Sequence, residues 1–369
     1  MDEALRVCAD GMLAYRRQAL SSIARSEFIA GPLLQVLPEL KARFRIQAAA
    51  IDTNDAFLKA VLSVAGLLNA RSNDNPAYDE DEDVSGLISP LLIQIHREWS
   101  QEGQVERDQC FGKCIAALTK YLPPAGQRVL VPGAGLGRLN WDLCTLGYNV
   151  LGIERAISML LTARFFLLHC LPNDRTIAIS PFAFEIGRGP SNARAGEHLS
   201  RTVTVPDAAS LALAKEQCAA PKGGERIIAG DFTEFCKLPC EAQQWDAVIS
   251  CFYIDASGDV ITATQATHAV LKPGGLWICC GPLEYDGGGG FHADDQALRL
   301  CADELLLFVQ RCGFEIVESA FTPCDYTANP HSMIHTGFEA LFFVARKTAA
   351  TAGGGVVASA CAPSAAAIS

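Results

Sequence analysis

The sequence predicts an α/β fold with a doubly wound, parallel sheet, preceded by a helical region. Two observations carry this. From Arg128 onward, short apolar runs alternate with stretches of helical periodicity, the pattern of strands joined by crossover helices. The first run, Arg128-Val129-Leu130-Val131, feeds a glycine turn, Gly133-Ala134-Gly135-Leu136-Gly137, and a helix opens behind it.

Residues 1–70 read as helices, because apolar residues recur at helical spacing in Leu33, Leu34, Leu37, Leu40 and Phe44, and again in Phe57, Leu58, Val61 and Leu62. The acidic stretch 72–83 reads as a solvated linker. A third helical region runs from about Pro90 to Leu122, where Pro123-Pro124 ends it. After the first strand and its glycine turn, a helix is expected over 138–146, a strand over 148–153 and a helix over 158–170. Residues 171–222 carry repeated prolines and read as an insertion. Strands resume at 226–229, 245–250 and 275–279, with the last two at 314–317 and 340–346. Leu271-Lys272-Pro273-Gly274-Gly275 reads as a helix stop and turn. The domain expectation is therefore a helical region over 1–122, an α/β domain over 123–347 and a disordered Ala/Gly/Ser-rich tail over 348–369.

The chain has 369 residues, half of them hydrophobic, enough to bury a sizeable core. Its net charge of −11 argues against a broad basic face for nucleic acid. Fifteen cysteines are present without a CxxC pair, so they read as reduced, buried thiols. No apolar run long enough for a membrane span is found, and Met1-Asp2-Glu3 does not open a signal peptide, so the expected location is the cytoplasm, with the nucleus as a second.

The glycine turn has the spacing GxGxG, with Arg138 where a dinucleotide site would place its third glycine. Glycines allow positive φ and close approach of a ligand, and the helix start behind them offers N–H groups. That spacing favours S-adenosylmethionine over a dinucleotide. Glu154 ends the second strand, where a carboxylate can accept both ribose hydroxyls. Asp231, after the third strand, can accept from the adenine amine, with Phe232 supplying an N–H and an apolar wall. A helix cap is an equally good reading of Asp231 taken alone.

Further segments carry a resemblance. Arg97-Glu98-Trp99-Ser100 with Glu106-Arg107-Asp108, Val131 through Leu139, Gly230-Asp231-Phe232, Cys251-Phe252-Tyr253-Ile254-Asp255, Gly281-Pro282-Leu283-Glu284-Tyr285 and the closing block from Ser332-Met333 through Phe343-Val344-Ala345-Arg346-Lys347 make the chain similar to the carnosine N-methyltransferase family. The resemblance implies a Rossmann-like class I methyltransferase sheet and transfer of a methyl group from S-adenosylmethionine to the imidazole of carnosine, giving anserine. It implies Gln94, Arg97, Gly133, Gly135, Glu154, Asp231, Phe232 and Cys251 as cofactor contacts, with the N-terminal helices covering the cofactor. It implies Asp255 as the substrate-binding and catalytic carboxylate, Tyr326 as a substrate contact, and a homodimer. A carboxylate at Asp255 can hold one imidazole N–H and leave the other nitrogen's lone pair free, or take the proton.

The sequence departs from the family on the acceptor side. Asp286 stands where the family has a substrate-contacting His, and His292, six residues on, is a candidate for that role if the loop folds back. Thr336-Gly337-Phe338 stands where the family is rich in Tyr, and Phe338 is counted among the substrate residues. The resemblance implies carnosine as the small-molecule acceptor, with another imidazole or histidine-containing dipeptide as a close competitor, and a protein histidine, or cofactor binding without catalysis, as other readings. His331 and His335 have the i, i+4 spacing of some zinc sites, but further ligands are lacking and no metal is expected.

Overall fold

The computed structural model describes residues 3–68, 85–183, 193–216, 227–285, 299–327 and 329–349. The linker at 72–83, Asp286, His292 and all of the tail but Thr348 and Ala349 lie outside these residues.

Three helices lead, α1 (Glu3–Ile29), α2 (Leu40–Val64) and α3 (Ser85–Trp99). Pro90, expected near a helix start, lies inside α3. A short α4 (Gln104–Arg107), a π turn over Asp108–Gly112 and α5 (Lys113–Tyr121) complete the region before the sheet.

The α/β part then runs β1 (Arg128–Pro132), α6 (Arg138–Thr145), β2 (Asn149–Glu154), α7 (Ile157–Phe165), β3 (Ile177–Ile179), β4 (Val203–Val205), α8 (Ala208–Glu216), β5 (Ile227–Ala229), α9 (Phe232–Cys236), β6 (Trp245–Cys251), α10 (Val260–Val270), β7 (Leu271–Gly281), α11 (Ala302–Arg311), β8 (Phe314–Asp325) and β9 (Gly337–Lys347). The main sheet has the order β5-β2-β1-β6-β7-β9-β8. Its first five strands are parallel, while β9 lies antiparallel to both β7 and β8. The chain order reverses beside β1, which puts the carboxyl ends of β1, β2, β5 and β6 at the point where ligands bind in such sheets.

Within the α/β part, the sequence expectations and the structure differ in three places. The insertion contains order of its own, since β3 and β4 pair antiparallel as a separate ribbon and α8 follows. The turn Leu271–Gly275 is part of β7: Trp245 pairs with Leu271, the register then shifts, and Ala247 pairs with Leu276. Gly274, at φ +79°, lets the strand bulge there instead of ending. The last two strands are longer than the apolar runs suggested, because β8 and β9 form a hairpin whose outer residues need not be apolar.

Alternation along the strands builds a core on each face. Val129, Val131, Ala247 and Ile278 face α5 and α6, while Leu130, Val248, Trp277 and Phe343 face α9, α10 and α11. The N-terminal helices share a third core with the α/β part, joining Met12, Tyr15, Phe57 and Trp99 to Leu136, Phe165 and Phe166. That shared core seats α3 against the glycine turn. Among the described residues no helix is long and apolar enough to cross a membrane.

Candidate active site

Gly133, Gly135 and Gly137 all have positive φ, at +61°, +53° and +79°. At Gly133 and Gly135 the need for glycine is also steric. A Cβ on Gly133 would lie 2.6 Å from the Tyr253 ring, and one on Gly135 2.8 Å from Glu98 Oε1. The N–H groups at the helix start were expected to be open to a ligand, and those of Ala134 through Arg138 are taken by the protein. Gly135 donates to Glu154 Oε2 at 2.8 Å, Leu136 to Glu98 Oε1 at 3.3 Å and Arg138 to Glu98 Oε2 at 3.2 Å.

Glu154 sits at the carboxyl end of β2, and its Oε1 accepts from Ala156 N at 2.8 Å. Each oxygen keeps a lone pair for a further donor. Asp231 caps α9, its Oδ1 accepting from the Thr233 and Glu234 N–H groups, while Oδ2 lies 3.7 Å from Arg155. Burial works against its charge, but the bonds from Thr233 and Glu234 outweigh it and hold the carboxyl below its ordinary value. Phe232 is buried and meets the Tyr253 ring edge-on at 5.8 Å. Gly133, Glu154, Asp231, Phe232, Phe252 and Tyr253 line one cavity of about 370 Å³.

Gln94 and Arg97 project from α3. Gln94 Nε2 donates to Glu98 Oε1 at 2.7 Å. Arg97 is only 3 % exposed. Its guanidinium lies over Phe252 at 4.9 Å, Tyr326 at 5.2 Å and Phe111 at 5.4 Å, a cage of ring faces that attracts a cation. Its Nη2 donates to Cys110 Sγ at 3.4 Å; Nε is 3.3 Å from Glu106 but is not hydrogen-bonded.

Cys251 ends β6 within a nest of buried thiols. Hydrogen bonding to Cys110, Cys114 and Cys280, together with burial, pushes its thiol well up, which disfavours a thiolate nucleophile. Phe252 follows at φ +52°, a conformation that bulky residues adopt only where the surroundings enforce it. It stacks on Tyr326 with centroids 4.9 Å apart and planes at 11°, and Phe338 leans on both at 6.2 and 5.8 Å. Asp255 is half-buried within electrostatic reach of Tyr326, its Oδ2 3.4 Å from the Glu284 N–H. Burial raises its pKa, and the nearby Glu284 carboxylate adds to the rise.

His331 and His335 do not converge. His331 meets His198 at 4.3 Å with the rings tilted by 36°, and His335 pairs with Asp325 at 3.0 Å. Among the described residues no group of three or more metal-ligating side chains comes together.

Glu98, Phe252 and Tyr253 were not singled out from the sequence as site residues. All three lie inside segments quoted for the resemblance, but their partners are remote; Glu98 reaches a turn 38 residues on.

Acids at two neighbouring strand ends, an aromatic wall and a glycine turn suit an adenosine with two ribose hydroxyls and an exocyclic amine. Fold and site define an S-adenosylmethionine-dependent methyltransferase. A family profile described as carnosine N-methyltransferase matches residues 75–349. The chain is 32% identical over 291 residues to the carnosine N-methyltransferase of Rattus norvegicus, covering 74% of this chain and 68% of that protein. The Mus musculus carnosine N-methyltransferase gives the same identity and coverage. A solved S-adenosylmethionine-dependent methyltransferase from Methanosarcina mazei is 14% identical over 63% of this chain and 97% of its own, with a TM-score of 0.39. The chain belongs to the carnosine N-methyltransferase family.

Proposed function

We propose that this enzyme methylates the imidazole of carnosine, giving anserine, or of a related histidine-containing dipeptide. The observation that carries the reading is the run Cys251–Asp255 at the end of β6. Phe252 and Tyr253 line the cavity, and Asp255 stands two residues beyond them, within electrostatic reach of Tyr326.

S-adenosylmethionine supplies an activated methyl group on a sulfonium, so the protein's task is to position a nitrogen lone pair in line with it. In this reading Glu154 accepts the ribose hydroxyls and Gly133 allows close approach. Asp231, through Oδ2, and the Phe232 N–H take the adenine, while Gln94, Arg97 and Gly135 surround the amino-acid end. Cys251 forms wall. Asp255 accepts the N–H of the acceptor imidazole, which leaves the lone pair on the other nitrogen. The raised pKa of Asp255 also suits it to receive the proton released as the ring is methylated. Phe252, Tyr326 and Phe338 offer ring faces to the imidazole, and Asp286 or His292 serves the dipeptide's polar ends. We also propose a homodimer and a cytoplasmic location, with the nucleus as a second.

The test is methyl transfer from labelled S-adenosylmethionine to carnosine, related histidine dipeptides and free histidine, compared side by side. Turnover of carnosine or a dipeptide at rates well above free histidine is expected. Cofactor binding with no turnover of any of them overturns the acceptor reading and leaves the methyl donor standing.

A further inference from the structure

We propose that Glu98 is a positioning residue that ties the N-terminal helices to the glycine turn, filling with the protein's own carboxylate the anion position that the start of α6 would otherwise offer a ligand. The inference rests on the methyltransferase reading of the site and adds a residue to it.

Glu98 is 2 % exposed, a burial that carboxylates tolerate only when their lone pairs are used. Here they are. Oε1 accepts from Gln94 Nε2 and the Leu136 N–H, and Oε2 accepts from the Arg138 N–H, the first residue of α6. The partial positive charge of a helix start favours a carboxylate there. Two more bonds close the same joint. Trp99 Nε1 donates to Leu136 O at 3.2 Å, and Arg138 Nη1 donates to the Glu98 carbonyl at 3.1 Å. Gly135 has no room for a side chain because Glu98 is there.

With Gly135 N–H on Glu154 and Gly137 N–H on Ala134 O, the bonded N–H groups of the turn face protein acceptors. The cofactor's carboxylate must then find its cation elsewhere. Arg97, the neighbour of Glu98 on α3, is buried with an Nε that lacks a hydrogen bond. Successive residues on a helix diverge by about 100°. One turn of α3 thus presents an acid to the glycine turn and a cation to the ring cluster at the end of β6. Holding the turn in its binding shape before the cofactor arrives raises affinity without a direct contact.

The test is cofactor binding by calorimetry in the full chain, with no acceptor present, on the wild type and on Glu98→Gln and Glu98→Asp. Gln keeps the size but places an NH2 against an N–H donor, so the S-adenosylmethionine Kd should rise by about tenfold or more. Asp restores the charge and should bring Kd most of the way back. A Gln variant that melts earlier yet binds the cofactor as wild type does makes Glu98 merely structural and overturns the proposal. Should that variant not fold, Trp99→Phe removes the indole bond to Leu136 together with part of a buried ring that packs on Phe166 and Trp141; measured at a temperature where its melt shows it fully folded, a Kd raised a few-fold supports the joint and an unchanged Kd overturns it. Wild type that fails to bind S-adenosylmethionine would sink the methyltransferase reading itself, a separate outcome.

Discussion

The guanidinium of Arg97 lies 4.9 Å from the centre of the Phe252 ring, and the Phe252 backbone is held at φ +52°. A buried cation and a strained aromatic residue face each other where the helical region meets the end of β6. Strain of this kind persists when the surroundings over-determine it, and it collects at sites. Arg97→Lys keeps the charge but loses the planar contact with three rings and the forked donor set. The expected result is cofactor affinity weakened by about tenfold or more, since such stacked, desolvated contacts contribute about 2 kcal/mol. Titration of S-adenosylmethionine into the variant measures it; wild-type affinity would remove Arg97 from the cofactor site.

Asp255 separates binding from turnover. Asp255→Asn keeps the shape and the Glu284 contact but offers no charge to an imidazole N–H. We expect kcat to fall by about a hundredfold or more, the range of general acid–base contributions, while the cofactor Kd changes little. Single-turnover rates alongside cofactor titration check both halves. Unchanged turnover would exclude Asp255 from the reaction.

Gly135→Ala tests the turn itself. The new methyl group would sit 2.8 Å from Glu98 Oε1 on a backbone at φ +53°. The left-handed conformation alone costs a non-glycine residue about 1–2 kcal/mol. Relief requires Glu98 or the turn to move, so cofactor binding should weaken more than stability. A variant that loses several degrees of Tm yet binds the cofactor normally would contradict this.

The strands were legible in the sequence because each is a short apolar run between turn signals, and Arg128 through Glu154 fall where they were expected. The order of the last strands was not, since an apolar run does not say that β9 lies antiparallel between β7 and β8. Leu271–Gly275 carries turn residues, and only the pairing with Trp245 makes it strand. Within the site, residues whose role depends on a strand end, such as Glu154, could be marked from spacing. Glu98 could not, because its contacts are set by how α3 docks on the α/β part. Asp231 had two readings, and the structure shows its capping bonds while placing it in the cavity wall. Asp286 and His292 lie outside the described residues.

His268 gives the fold an acid limit. Its ring packs edge-on against Phe314 at 5.3 Å at the foot of β8, and the Lys347 ammonium donates to its carbonyl at 2.7 Å. Burial, aided by the Lys347 charge, lowers its pKa to about 4 from the ordinary 6.5. The unfolded chain therefore binds a proton at this residue before the folded chain does. Its contribution to stability is fully present above about pH 6.5 and is lost as the pH falls toward 4. His268→Gln should lower stability at pH 7.5 through lost packing, yet flatten the decline of Tm between pH 6.5 and 4.5. Thermal melts of both proteins across that range measure the difference. Parallel curves would show that His268 protonates as easily in the folded chain as in the unfolded one.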